Sequence, residues 1–298
     1  MLRRILAAAV AGMLVSGGCS TGGDSAVDDT TPTTAVQSTV PAATSSTAVE
    51  ATTTMPPTTT TSTIPTLTLP ADGEPWDLLV ISNSLGWYVA EPYAARAAEA
   101  LGVPVNAHDA AIDHLEAWRA MLHLDDVAYP PLSELVRNAE IIVVYGTPER
   151  SGDWFDTCWL SQRNSSLPAA EYTGDDWEQY RKELDALFAE VWRLREGLPT
   201  VVRTFDMPLG RIGVWRELGK EEACISSWET VNAVHRETAD THGVTMVSLF
   251  DLFNGPNHDQ DPAEKGWMHG DGIHASEAGI VAIADALAAA GFDPTTQP

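Results

Sequence analysis

Short apolar runs alternate with helical patterns after residue 72, and this alternation limits the possible fold more than any other feature. The runs are largely unalternating, as expected of parallel strands covered on both faces. They span residues 76–81, 103–105, 141–145, 200–204 and 244–249. Helical patterns cover residues 91–101, 175–196, 228–242 and 277–290, and Ser226 with Glu229 predicts a capping box at the third. The sequence therefore predicts an α/β fold: a three-layer α/β/α sandwich with a central parallel sheet of about five strands.

Near the C-terminus, Asp271 stands three residues before His274, on the turn that leads into the last predicted helix. A carboxylate at this spacing can accept the imidazole N–H, which fixes the tautomer and stabilises the imidazolium. The other ring nitrogen is then free to take a proton from a nucleophile. Ser84 is the candidate nucleophile, because it follows the first predicted strand where the apolar run breaks into a small, polar turn.

These motifs resemble those of the SGNH or GDSL esterases and lipases, over roughly the whole chain after residue 72. The family's last block is Asp-x-x-His, usually followed by Pro-Ser and a glycine, and residues 271–279 reproduce it except for the proline. The first block, Gly-Asp-Ser-Leu, corresponds to residues 82–85, which keep the serine and the leucine. The resemblance implies Ser84 as the nucleophile, His274 as the general base and Asp271 as the residue that orients it.

The two middle blocks of that family supply hydrogen-bond donors to the oxyanion, and here both depart from the pattern. The expected Gly-x-Asn-Asp begins at Gly146, but Pro148 stands in place of the asparagine and offers no N–H. The glycine of the other block aligns with Ala111, whose N–H is the expected remaining donor. Because a lost oxyanion donor costs about 2.7 to 4 kcal/mol, replacements are expected. The candidates are the Leu85 N–H, the Asn83 side chain and Arg150.

The first 72 residues have the composition of an export signal and a linker. Residues 1–19 combine a basic start, an apolar stretch and small residues before Cys19, which is typical of a secretory signal. This end resembles a bacterial lipobox, although Ser16 stands where leucine is usual. Lipidation of Cys19 is one expectation, and simple cleavage and release is the other. Residues 20–72 predict a disordered Thr/Ser/Pro-rich linker, leaving 73–298 as one SGNH hydrolase-like domain.

Cysteine use and charge agree with an exported location, either as a cell-surface lipoprotein or as a secreted protein. If Cys19 carries lipid, Cys158 and Cys224 remain, and a disulfide between them or two free thiols are both open. The net charge of −25 argues against binding of nucleic acid and against electrostatic docking to anionic lipid. The expected partner is a small-molecule or glycan ester substrate, with membrane contact only through the N-terminal lipid.

Aromatic residues are concentrated in the predicted domain, which holds all 10 tryptophans. Several aromatic residues fall in the irregular segment 150–177, after the third predicted strand. A long loop of this kind can form a lid or a substrate wall, or can pack onto the domain.

The function that these features favour is an exported serine hydrolase that cleaves an ester or O-acyl bond through an acyl-enzyme on Ser84, without a cofactor or metal. An O-acyltransferase that uses the same residues is one alternative. A catalytically weak or inactive cell-surface binding module is another, favoured by Pro148. Ser84 could also be an ordinary turn serine, and His269, Asp271 and His274 could bind a metal, although no HExxH helix accompanies them.

Overall fold

A computed structural model describes residues 74–112, 115–117, 119, 120, 124, 132–148, 158 and 174–295. The predicted signal segment, Cys19 and the linker lie outside the described residues, as do Arg150 and most of the aromatic segment 150–177. No helix in the described part of the chain is both long and apolar enough to cross a bilayer.

Five parallel strands form the central sheet in the order β2-β1-β3-β4-β5. The strands are β1 (Trp76–Ile81), β2 (Val105–Asp109), β3 (Ile141–Val144), β4 (Val201–Phe205) and β5 (Thr245–Val247). Every side chain of β3 and β4 is buried, as expected for central strands covered on both faces. The two edge strands, β2 and β5, are only partly covered.

Helices cover both faces of this sheet. They are α1 (Ala90–Leu101), α2 (Leu132–Asn138), α3 (Gly174–Arg195), α4 (Ile212–Glu217), α5 (Glu221–Thr241), α6 (Leu249–Asn254) and α7 (Glu277–Ala289). Helix α1 packs against α7, whereas α3 packs against both α2 and α5. The predicted three-layer α/β/α sandwich with five parallel strands is therefore confirmed.

Two predicted boundaries are wrong, and the structure gives the reasons. Strand β2 starts at Val105 and continues through Asp109, because an edge strand tolerates the polar residues that made this segment look like a loop. Helix α5 begins at Glu221, so Ser226 lies inside the helix and caps nothing. Acidic residues in the first turn favour this earlier start, and Cys224 and Trp228, four residues apart, are both buried on one face.

Candidate active site

Ser84 lies at the point where the order of the strands reverses. Its turn follows β1, and the chain builds β2 on one side of β1 before it returns to build β3 on the other. In open parallel sheets with this order, the crevice beyond the carboxyl ends of the two strands is where ligands bind. The topology therefore puts the predicted nucleophile at the place where this fold offers a binding crevice.

A single turn of 3₁₀ helix, Ser84–Gly86, holds the serine. Asn83 caps this turn, since its side-chain oxygen accepts the Leu85 N–H at 3.0 Å. Gly86 allows the turn to pack closely, because a Cβ atom there would lie 1.9 Å from Ser82 Oγ. Ser84 itself is only 9% exposed, so its immediate surroundings are fixed by the protein.

The Asp271–His274 segment is the tip of a closed hairpin that leads into α7. Met268 and Ala275 form an antiparallel bridge across its base, and the His269 N–H donates to the His274 carbonyl at 2.9 Å. Gly272 makes the turn with φ of 62°, a conformation that glycine adopts without strain. These contacts fix the position of the imidazole at the tip of the hairpin.

Asp271 holds the imidazole by accepting three hydrogen bonds. Its Oδ2 accepts from His274 Nδ1 at 2.7 Å, and its Oδ1 accepts the backbone N–H groups of Ile273 and His274 at 2.8 and 3.1 Å. Burial alone would raise the Asp271 pKa, but these hydrogen bonds outweigh it and lower the pKa to about 2. Asp271 is therefore a carboxylate across the physiological range and directs the Nε2 of His274 away from itself.

The indole of Trp87 stacks on one face of the same imidazole. The two rings are parallel within 2°, with centroids 5.1 Å apart. The imidazole is thus fixed by a carboxylate at one edge and by an aromatic plane on one face, which restricts its rotation.

Ser84 and His274 line one open cavity of about 270 Å³, together with Trp87, Tyr88 and His269. Among the hydrogen bonds of the described residues, none joins Ser84 Oγ to His274 Nε2. Catalytic hydrogen bonds are often long in ligand-free proteins and shorten when substrate binds. The structure thus brings Ser84 and His274 to one cavity, and Asp271 reaches this cavity only through its hydrogen bond to His274.

Two predicted oxyanion donors are already occupied. The Ala111 N–H donates to Asp109 Oδ1 at 3.0 Å, and the Leu85 N–H donates to Asn83 Oδ1 at the same distance. Ala111 lines neither of the two cavities that adjoin Ser84. For these two N–H groups the prediction needs correction, because local side chains that already accept them compete with any substrate.

Gly146 is also absent from both cavities and instead meets a packing constraint. A Cβ atom at this position would lie 2.6 Å from the Ala117 Cα. The Gly146 carbonyl accepts a hydrogen bond from the Tyr180 hydroxyl at 2.9 Å. Pro148 is buried. The segment aligned with the third block therefore contributes to the packing behind the site, which is a second correction.

Two other donors remain beside the nucleophile. Within the described residues, the Asn83 Nδ2 and the Ser84 backbone N–H donate to no protein acceptor. Asn83 and Ser84 both line a second, smaller cavity of about 20 Å³. Asn83, one of the predicted replacements, is thus the donor that geometry favours, and the Ser84 N–H is one that the sequence analysis missed.

Three further residues support the site without a clear signal in the sequence. Trp87 stacks on His274, and Asp109 accepts the Tyr88 N–H at 2.9 Å in addition to that of Ala111. The Arg211 guanidinium donates to the Asp271 carbonyl and so joins the start of α4 to the hairpin. Apart from the contact of Asp109 with Ala111, these contacts join residues 21 to 187 positions apart, and no spacing rule links residues so far apart.

Cys158 and Cys224 form a disulfide, and Cys158 lines the smaller cavity beside Ser84. The disulfide therefore connects α5 to the wall of the site. Within the described residues, no group of three or more His, Cys, Asp or Glu side chains could hold a metal ion.

Known structures with the same fold are found despite low sequence identity. No protein-family model matches the sequence, and a search of curated proteins gives no match. The lipase Lip_vut3 from a goat rumen metagenome is 16% identical, with a TM-score of 0.54 and coverage of 73% of this chain and 98% of the lipase. A catalytic mutant of Axe2, an acetylxylan esterase from Geobacillus stearothermophilus, is 11% identical, with a TM-score of 0.50 and coverage of 72% and 93%. The sheet order, the helices on both faces and these similarities establish that the chain has an SGNH hydrolase-like fold.

Proposed function

We propose that the chain is a serine esterase that cleaves an ester or O-acyl bond. The observation that carries the proposal is the cavity at the carboxyl end of β1, which is lined by both Ser84 and the His274 held by Asp271. The similarity in fold to a lipase and to an acetylxylan esterase supports hydrolysis of an ester bond.

The chemistry follows from the roles of the three side chains. His274 Nε2 takes the proton of Ser84 Oγ as the oxygen attacks the acyl carbonyl, and Asp271 stabilises the resulting imidazolium. The imidazolium then gives its proton to the leaving alcohol, and the acyl group stays on Ser84. Water, activated by His274 in the same way, releases the acid. The Asn83 amide and the Ser84 N–H are the proposed donors to the oxyanion.

The proposed location is outside the cytoplasm, with an N-terminal signal, a linker and a lipid on Cys19 as the expected anchor. The disulfide between Cys158 and Cys224 supports an oxidising compartment. Mass analysis of the mature N-terminus distinguishes an acylated Cys19 from simple cleavage.

Labelling with a fluorophosphonate tests the nucleophile without knowledge of the substrate. Intact mass and peptide mapping should locate the label on Ser84 in the wild type, and Ser84→Ala and His274→Ala should abolish it. Absence of labelling in wild-type protein that is folded by circular dichroism would refute the proposal.

A non-catalytic binding module is the second candidate, because a buried Pro148 replaces an oxyanion donor of the resembled family. The same labelling experiment separates the two functions, since a module without an activated serine does not react. If Ser84 takes the label, fresh unlabelled enzyme incubated with an acyl donor and a sugar acceptor then distinguishes transfer to the sugar from release of free acid.

A further inference from the structure

The hydrogen bonds of the hairpin fix His274 within the hairpin, but they do not fix its distance from Ser84. Among the hydrogen bonds that the structure describes, the Asp271 carboxylate accepts only from two residues of its own turn. The base of the hairpin is closed by bonds between its own two arms. All of these bonds would survive a movement of the hairpin as a unit. A contact with another segment must therefore set how closely His274 approaches Ser84.

The segment that leads into α4 makes such a contact with the tip of the hairpin. The Arg211 guanidinium donates to the Asp271 carbonyl. The alkyl stem of Arg211 crosses Gly272, since a Cβ atom there would lie 2.4 Å from Arg211 Cγ. Gly210 approaches the same turn, because a Cβ atom on it would lie 2.1 Å from the Gly272 carbonyl oxygen. Two consecutive residues thus contact the main chain of the catalytic turn.

The segment that carries Arg211 is itself held by the core. The Asn254 side chain, which is 0% exposed, accepts from the Leu209 N–H and donates to the Leu209 carbonyl, both at 2.8 Å. On the other side of Arg211, Ile212 and Trp215 of α4 are 0% exposed as well. The guanidinium therefore extends from a fixed stretch of backbone and can transmit its position to the turn.

The charge of Arg211 strengthens this contact. Partial burial is the larger influence and lowers the pKa of Arg211, although the nearby Asp271 carboxylate raises it. A guanidinium keeps its charge in proteins, and hydrogen bonds from a charged donor are about twice as strong as neutral ones. In the described part of the chain Arg211 makes no ion pair with a carboxylate, and it donates to the Asp271 carbonyl instead.

We propose that Arg211 is a positioning residue for the proton transfer between Ser84 and His274. It acts through the main chain of the turn and holds the tip of the hairpin where the His274 Nε2 can reach the serine. This inference rests on the proposed esterase function, because it assigns a role in that reaction. Without Arg211 the Asp271–His274 pair stays intact but moves as a unit, and a misplacement of about 1 Å can cost about 10²-fold in rate.

The test measures kcat and KM on p-nitrophenyl acetate in the wild type and two variants. Arg211→Met keeps an alkyl stem over Gly272 but donates no hydrogen bond, so kcat should fall about tenfold to 10²-fold, with KM within about twofold. Arg211→Lys retains a charged donor and should recover kcat to within about threefold of the wild type.

Arg216→Met is the matched control. The Arg216 guanidinium also extends from α4 and also donates to a backbone carbonyl, that of Asp259 at 2.8 Å. That carbonyl lies before the hairpin, and Arg216 lines neither cavity beside Ser84. The kcat of Arg216→Met should therefore equal that of the wild type.

The His274→Ala background separates positioning from direct contact with the substrate. The rate that remains without the histidine comes from the oxyanion donors and from binding. A residue that acts through His274 has nothing left to position, so adding Arg211→Met should leave this remaining rate unchanged. A further fall of about tenfold would overturn the proposal and make Arg211 a donor to the oxyanion.

NMR of protein with ¹⁵N-labelled histidine checks the pair without any substrate. The signal of His274 is the one that His274→Ala removes, and in Arg211→Met its proton should stay on Nδ1, since Asp271 moves with it. Loss of that proton, or a raised KM with unchanged kcat, would contradict the proposal. Fluorophosphonate keeps the two proposals distinct. Equal labelling rates in the wild type and Arg211→Met refute only the role of Arg211, whereas an unlabelled wild-type Ser84 refutes the esterase and this role with it.

Discussion

His235 is a buried, neutral histidine whose removal should change how the stability of the domain depends on pH. The ring is 2% exposed and lies between α5, α3 and β4. Thr204 Oγ1 lies 2.8 Å from Nε2, and the Tyr180 hydroxyl lies 3.2 Å from Nδ1. The Tyr180 hydroxyl donates its proton to the Gly146 carbonyl, so it can only accept a hydrogen bond from the imidazole. A neutral imidazole with its proton on Nδ1 donates to Tyr180 and accepts from the Thr204 hydroxyl at Nε2, which satisfies all of these contacts.

Burial lowers the pKa of His235 to about 3, from 6.5 in a model peptide. Between these values the unfolded chain binds a proton that the folded protein excludes, so stability present above about pH 6.5 is lost as pH falls towards 3. At about pH 4.5 the pH lies roughly two units below the pKa in the unfolded chain, which corresponds to about 3 kcal/mol of lost stability. At pH 7.5 the imidazole is largely neutral in both the folded and the unfolded protein, so almost none of this stability is lost.

Asp206 has the opposite effect on how the stability of the domain depends on pH. Burial raises its pKa to about 6, although the Phe250 N–H and the Ser248 hydroxyl donate to it and lower the pKa. Its unfavourable charge is therefore present above about pH 6 and is relieved as pH falls towards 3.8, by about 2 kcal/mol at pH 4.5. In the wild type the two effects largely cancel, so only variants reveal them.

Both effects can be measured by urea unfolding at about pH 7.5 and 4.5, with tryptophan fluorescence as the signal. The difference in unfolding free energy between wild type and His235→Gln should fall by about 3 kcal/mol on acidification, because only the wild type has a buried imidazole to protonate. Asp206→Asn is the matched control and should show a shift of opposite sign, about 2 kcal/mol. A His235→Gln difference that is the same at both pH values would refute the buried, neutral assignment.

Three further predictions concern the disulfide, Asp271 and the turn that carries Ser84. Replacing Cys158 and Cys224 together by serine should lower the unfolding free energy by about 4 kcal/mol, because the disulfide closes a loop of 66 residues; a reductant should reproduce the loss in wild type only. Asp271→Asn should lower kcat on an acetyl ester by up to about 10⁴-fold with little change in KM, and a variant that keeps most of its kcat would exclude this role. Gly86→Ala should cost about 1 to 3 kcal/mol in thermal unfolding, since the new Cβ would overlap Ser82 Oγ; an unchanged melting temperature would contradict that packing.

The strands were the part of the fold that local sequence could predict best. Strand β1 begins and ends where its apolar run does, because a strand covered on both faces needs apolar side chains at nearly every position; the exception, Asp77, is only half-buried. The start of α5 could not be predicted from Ser226, since a capping signal also occurs inside helices. The helix begins earlier, at Glu221, and buries Cys224 ahead of Ser226. Most of edge strand β2 was not predicted, because an exposed edge tolerates polar residues and the strand therefore lacks a continuous apolar run.

The contacts of the candidate site also divide into those that local sequence predicts and those that it does not. Asp271 and His274 are three residues apart, so one turn suffices to bring the carboxylate to the imidazole, and the pair is readable from spacing. The Ala111 N–H is taken by Asp109, two residues earlier, in a local Asx turn; the motif alignment did not consider this competitor, although an Asp at this spacing can form it. The stacking of Trp87 on His274 joins residues at opposite ends of the domain and has no local signature.

The sequence by itself determined the class of fold and the chemical types at the site, because strand burial, helix periodicity and an Asp-x-x-His turn are local properties. Only the tertiary structure decided which groups meet. Reversal of the strand order beside β1 creates the crevice, and the hairpin before α7 brings His274 to the cavity of Ser84. Trp215 and Trp228, buried far from Ser84 in the sequence, form part of the wall of the smaller cavity beside it. These outcomes depend on contacts between distant segments, whose geometry is the result of packing the whole core at once.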